Sequence, residues 1–279
     1  MTTTSRLPAS VVADAEAVAD AADARAGVRT RPARPDEVDG VLARFESTWG
    51  EGRGPDRATI QAIEHAGGTV LVAVADDDAT LPGPPRTASS IPLGATLGFL
   101  GWNAGLHIHS HMNAVDPSAR GRGIGVALKL RQRAVCLAHG VTEVRWTYDP
   151  LIRRNARMNL VRLGAEVVAF LPDFYGELGD TITGADRSDR FEVRWRLDSP
   201  RARRALARGP LPEWHADGRL VLVADYEHVR ATEPDVAARL RDGSREVFAE
   251  LERDPALRID LDAQGDYVLT RDDPDLEAR

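Results

Sequence analysis

The stretch Val115-Asp116-Pro117-Ser118-Ala119-Arg120-Gly121-Arg122-Gly123-Ile124-Gly125-Val126-Ala127-Leu128 constrains this chain more than any other. An extended apolar segment runs directly into a basic, glycine-rich turn, and the apolar residues that follow recur at helical spacing. Glycines, lacking Cβ, let successive backbone N–H groups point into one concavity. The helix start adds its positive dipole end, and Arg120 and Arg122 bring full charges. The pattern predicts a strand, turn and helix that together cradle a pyrophosphate. Spacing excludes two familiar cradles. A P-loop needs Gly-x-x-x-x-Gly-Lys-Ser/Thr, whereas Lys129 stands between Leu128 and Leu130. A dinucleotide fingerprint needs Gly-x-Gly-x-x-Gly, but its third glycine slot holds Val126 or Leu128, depending on the starting glycine.

What fits is Arg/Gln-x-x-Gly-x-Gly/Ala, read as Arg120-Gly121-Arg122-Gly123-Ile124-Gly125 and preceded by the Val-x-Pro step of Val115 and Pro117. This resembles motif A of the GNAT superfamily, the coenzyme A-dependent N-acyltransferases. The element order agrees. Strands are expected over 28–31, 69–74, 93–101, 106–115, 143–148, 165–171 and 190–197, and helices over 35–45, 57–66, the stretch from Ala127 to Leu137, and 152–163. A Pro/Gly/Ser-rich loop is expected over 79–92. The resemblance therefore implies an α/β fold with a mixed, V-split central sheet flanked by helices over 28–199. Residues 1–27, Ala- and Asp-rich, read as a mobile or weakly helical tail. The Pro- and Arg-rich 200–218 reads as a linker, and 219–279 as a small αβ annex, with a strand at 220–223, a helix over 235–252 and short strands near 257–261 and 266–270. The annex, together with His107-x-His109-x-His111-Met112, Trp146 to Leu151 and Pro172 to Gly176, is similar to a bacterial branch of predicted acetyltransferases. Some members of that branch succinylate amino acids in company with N-succinylamino acid racemases.

The resemblance implies acetyl-CoA or another acyl-CoA as co-substrate, no metal, and a small-molecule amine as acceptor, with a homodimer as one assembly open to it. It places the coenzyme on Val115, Arg120, Gly121, Arg122, Gly123, Ile124, Gly125 and Asn155. Asn155-Ala156 followed by Leu163-Gly164-Ala165 resembles the element that closes the acyl pocket, although Asn155 lies two residues later than usual. The slot where many relatives carry a tyrosine acid is Leu160, which leaves Tyr148 and Tyr175 as candidate acids or pocket walls. His107, His109 and His111 alternate along one strand and share a face. They fit plain packing, a metal site, or a general base, with His111 nearest the acyl site. Arg153 and Arg154, at a helix start, are candidates for a carboxylate or a coenzyme phosphate. Trp102 and Trp146 read as core, and Cys136 as a buried thiol. A coenzyme A-binding sensor of the same shape remains the competing class.

Composition bears on partners and compartment. Net charge of -7 argues against general nucleic-acid affinity. The single cysteine permits no intrachain disulfide and suits a reducing compartment. No apolar run reaches the roughly 18–20 residues needed to span a bilayer, and residues 1–28 lack a signal-peptide core. A cytoplasmic enzyme without nucleic-acid or membrane partners is the expectation.

Overall fold

The N-terminal segment departs furthest from the sequence reading. The computed structural model describes residues 7–76, 91–180, 183–184 and 186–275, so most of the loop expected over 79–92 lies outside the described residues. Within the expected tail, helix α1 spans Ala9–Ala26 and closes on Gly27 at φ 63°. Ala15, Ala19, Ala22 and Ala26 are buried. This stripe of small side chains packs against the helix that follows the glycine turn, α4, Ile124–Ala138. Alanine gives little hydrophobic contrast in the sequence, yet it combines high helix propensity with close approach. Arg131 of α4 pairs with Glu16, Asp20 and Asp23. Asp23 in turn accepts hydrogen bonds from the Thr30 N–H at 2.9 Å and hydroxyl at 2.7 Å.

Contacts divide the chain into two units, residues 1–144 with 180–182 and residues 145–179 with 183–279. The sequence reading placed its boundaries at 199/200 and 218/219; the division of contacts instead falls within strand β5, Glu143–Tyr148.

In the first unit, strands β1 (Val28–Pro32), β2 (Thr69–Ala75), β3 (Gly94–Gly101) and β4 (His107–Val115) run antiparallel in that order. Helix α2, Val38–Trp49, follows a 3-10 turn at Pro35–Glu37. Helix α3, Arg57–His65, starts where the Asp56 carboxylate accepts the Thr59 N–H at 2.7 Å. Val38, Val41 and Phe45 of α2 and Ile60 of α3 bury their side chains against Val70, Val72, Leu97, Met112 and Ala114. Full burial of each large member contributes about 1.5–3 kcal/mol. Strand β4 carries a bulge: Leu97 pairs with Met112 but Gly98 with Ser110, so His111 is the extra residue.

In the second unit, β6 (Glu166–Leu171) and β7 (Arg190–Arg196) are antiparallel, and the strand order is β5-β7-β6. Helix α5, Arg153–Ala156, continues as a π turn over Arg157–Arg162. The expected linker contains helix α6, Pro200–Leu206, capped by the Ser199 hydroxyl. Its Arg201 is buried against the Asp260 carboxylate and the Gly164 carbonyl, so charge pairing orders a segment whose composition read as a spacer. Strands β8 (Gly218–Leu220), β9 (Arg258–Leu261) and β10 (Tyr267–Thr270) form a small antiparallel sheet in the order β8-β10-β9, with helices α7 (Tyr226–Thr232), α8 (Pro234–Phe248) and α9 (Glu250–Arg253). Strand β8 begins two residues before the expected 220–223 and ends at Leu220, and the Leu222 N–H is taken by the Asp266 carboxylate at 3.0 Å. The ring of Phe191 meets those of Tyr148, Phe170, Phe248 and Tyr267 at the centre of this unit.

Candidate functional site

The glycine turn of the first unit is built from its entrance inward. Asp116 leaves β4 with its N–H on the Leu93 carbonyl at 2.8 Å. One carboxylate oxygen accepts the Ser118 N–H and hydroxyl at 2.9 and 2.6 Å, and the other accepts Arg44 Nη2 at 2.6 Å. The Ser118 hydroxyl and N–H, with Arg44 adding to them, hold the Asp116 carboxyl down to about 2. Arg44 is itself buried and spends its Nε on the Pro92 carbonyl at 2.8 Å. These groups fix the 3-10 turn Pro117–Ala119. Neither Arg44 nor Asp116 announced this role; only the Asp-Pro-Ser triplet, a turn signal, hinted at it.

Beyond the turn, Gly121 at φ 82° and Gly123 at φ 93° occupy the left-handed region, where a side chain is strained. Among the described residues beyond their chain neighbours, no atom lies within 4 Å of where a Cβ would stand on either, so the concavity is open there. Gly123 is the N-cap of α4, and among the described residues no side chain caps that helix, which leaves first-turn N–H groups for a ligand. Arg120 is exposed beside them. Ile124 is buried and anchors the helix start, and the Gly125 carbonyl accepts Asn113 Nδ2 at 3.2 Å, tying the helix to β4 near Val115. Arg122 differs from its sequence assignment. Its Nη2 donates to the Ala26 carbonyl at 2.9 Å and the Gly27 carbonyl at 3.3 Å, so this guanidinium holds the C-terminus of α1.

The histidine strand resolves into two roles. His107 is buried, its Nδ1 2.8 Å from the Gly105 carbonyl, and its ring packs where a Cβ on Gly101 would stand. His109 and His111 flank Phe99, with ring centroids 5.2 and 5.9 Å from it and 6.0 Å from each other. Desolvation first, then the neighbouring His111, His107 and Lys129, lowers His109 to about 4. Desolvation also lowers His111, which nonetheless remains exposed. Both rings are therefore neutral near pH 7, with a nitrogen able to accept a proton. Among the described residues no three His, Cys, Asp or Glu side chains are grouped as metal ligands.

Residues of the second unit are described by themselves. Tyr148 is buried, its hydroxyl 3.1 Å from that of Tyr267, which donates to the Pro150 carbonyl at 2.8 Å. Burial raises its pKa, and a hydroxyl so enclosed is not placed to protonate a departing thiolate. Tyr175 is exposed, with its hydroxyl 3.0 Å from Thr147 Oγ1 and the Arg190 guanidinium 5.5 Å from its ring. Asn155 is half-buried on α5. Leu160 lies in the core with its carbonyl toward Arg201. Arg153 donates to the Leu222 and Gln264 carbonyls and pairs with Asp266, and Arg154 pairs with Glu227. These two arginines hold the C-terminal segment, so the expectation that they receive an acyl carboxylate or coenzyme phosphate is set aside. Trp102 is 82% exposed, contrary to its reading as core, whereas Trp146 is buried and donates to Asn159 Oδ1 at 3.2 Å. Cys136 is buried, and desolvation pushes its thiol up to about 12.

No family model and no curated protein matches the sequence. Among solved structures, the chain is similar to Ard1 from Thermoplasma volcanium, with 17% identity, a TM-score of 0.43, and coverage of 60% of this chain and 96% of that one. It is similar to an N-acetyltransferase from Staphylococcus aureus Mu50 at 15% identity and TM-score 0.45, covering 61% and 99%. A third is Arabidopsis thaliana Naa50, in complex with the bisubstrate analogue CoA-Ac-MVNAL, at 16% identity and TM-score 0.43, covering 60% and 97%. No helix among the described residues is long and apolar enough to cross a membrane.

Proposed function

We propose that this chain is an acyl-CoA-dependent N-acyltransferase that moves an acetyl or succinyl group from coenzyme A to the amine of a small molecule in the cytoplasm. The observation that carries this reading is the open cradle at the start of α4. Two glycines with positive φ, a helix N-terminus without a side-chain cap and the exposed Arg120 together supply the backbone donors and the charge that a pyrophosphate needs. Five residues upstream of the turn's entrance, the bulge at His111 interrupts the ladder of β4. Main-chain groups released by a bulge can receive the thioester oxygen as charge develops on it.

The chemistry asked of the remaining residues is modest. The amine nitrogen attacks the thioester carbonyl, a C–N bond forms, and the C–S bond breaks. The amine proton passes to His111, directly or through water, and the thiolate takes a proton from Tyr175 or solvent. A second reading, a coenzyme A-binding module that senses without catalysing, is favoured by Leu160 in the usual acid slot and by the enclosure of Tyr148. Thiol release from acetyl-CoA and succinyl-CoA, measured over a panel of amines that includes amino acids, separates the two. Amine-dependent release supports transfer, and coenzyme binding without release with any amine supports the sensor.

A further inference from the structure

Phe99 belongs to two features of the first unit. Its ring meets those of His109 and His111, and with Leu100 it also walls a hollow of about 400 Å³ completed by Thr59, Ala62, Ile63, Ala66 and Gly68. The hollow is as large as many small-molecule sites. Its floor depends on the absence of a side chain at residue 68. A Cβ there would stand 2.4 Å from Ile63 Cγ2 and 2.7 Å from the Gly98 carbonyl oxygen, so only glycine lets the end of α3 approach β3 this closely. Among the described lining side chains, Thr59 alone carries a polar atom, and none is ionisable.

We propose that this hollow is the acceptor subsite, and that it takes the uncharged branched-alkyl or aryl substituent of a primary amine whose nitrogen lies beside His109 and His111. The inference rests on the acyltransferase reading and names its substrate class. Phe99 is the link, because one ring serves as a wall for the substituent and as a neighbour of both histidines. A cationic amine approaching that ring is attracted to its π face, and a neutral imidazole accepts its N–H. A charged substituent would lose its hydration against Ala62, Ile63, Ala66 and Leu100 with no partner, whereas an apolar one gains by leaving water. The chemistry thus selects against polyamines and against amines with a charged side chain.

The test compares 2-phenylethylamine with ethylamine as acceptors, using thiol release from acetyl-CoA, and follows 2-phenylethylamine binding by saturation-transfer NMR. Ala62 is exposed, so Ala62→Trp fills the hollow from its open side, with Ala66→Leu as a second variant should the first fail to fold. In the parent protein kcat/KM should be about 10-fold or more higher for 2-phenylethylamine. The variants should lose that preference through KM and keep ethylamine turnover within about twofold. Equal loss with both amines, or none with either, overturns the subsite while leaving transfer in place. If no amine is turned over, binding of 2-phenylethylamine to the parent and not to the variants upholds the hollow and removes the transferase reading. Absence of both turnover and binding overturns both.

Discussion

Replacing Lys129, the only lysine in the chain, by methionine should stabilise the protein, and the gain should depend on pH in a calculable way. The ammonium sits on the buried face of α4, 3% exposed, with Nζ donating to Ser110 Oγ at 2.7 Å. Desolvation lowers it from 10.5 to about 7. At roughly 1.4 kcal/mol per pH unit, carrying the charge through folding costs about 5 kcal/mol below pH 7. Methionine matches the volume and removes that cost, while losing a hydrogen bond worth about 1–3 kcal/mol. A net gain of about 2–4 kcal/mol just below pH 7 follows. The sign of the pH effect is fixed by where the proton is bound. Between about pH 7 and 10.5 the unfolded chain holds a proton on Lys129 that the folded chain does not, so parent stability rises with pH through that window. The variant lacks this rise. Its advantage should shrink by about 1.4 kcal/mol per pH unit. Urea denaturation of both proteins at pH 7, 8 and 9 reads the difference directly. Cys136, whose raised pKa acts in the opposite direction and is coupled to Lys129, exerts its effect above the ordinary thiol range and so beyond the pH window of this comparison. A variant no more stable than the parent at pH 7, or an advantage unchanged from pH 7 to 9, would refute the reasoning.

Gly123→Glu should leave a folded protein that no longer binds coenzyme A in calorimetry, since φ 93° strains any side chain and the carboxylate enters the anion site; undiminished affinity would remove the cradle assignment. His111→Ala should lower turnover and abolish the acid limb of the pH–rate profile. Because desolvation lowers His111, the parent should keep its neutral base as pH falls through 6.5 and lose rate only below that, and identical profiles would exclude His111 as base. Tyr148→Phe should leave turnover within about twofold and cost about 1 kcal/mol of stability through the lost contact with Tyr267, whereas Tyr175→Phe should slow turnover. The reverse ranking would return Tyr148 to the chemistry.

The glycine turn between β4 and α4 was legible because its requirements are local. Positive φ at Gly121 and Gly123, a helix start and a preceding strand are all set by neighbours in sequence. Periodicity likewise located the strands of the large sheet within a residue or two, and helix α3 as closely, whereas the ends of α2 and α4 and the position of β8 were missed by three residues or more. What escaped depends on partners far along the chain. Helix α1 is ordered by buried alanines and by Arg131, and neither its composition nor its periodicity signals the helix it packs against. Arg122, Arg153 and Arg154 carry the same charge whether they meet a phosphate or a main-chain carbonyl, and only the fold showed carbonyls of Ala26, Leu222 and Gln264 and the carboxylate of Glu227 in front of them. Tyr148 alternates correctly on β5, but its pairing with Tyr267 joins residues more than a hundred positions apart. Trp102 lies at a hairpin tip, where hydrophobicity alone cannot distinguish core from surface.

The central claim is that main-chain N–H groups at the start of α4 hold the pyrophosphate of coenzyme A, and backbone amide NMR tests it most directly. Titration with coenzyme A should shift the amides of Gly121, Gly123, Ile124 and Gly125 together, and titration with pantetheine, which has the same arm but no pyrophosphate, should leave them in place. Shifts confined to other residues, or equal shifts with pantetheine, would contradict the assignment.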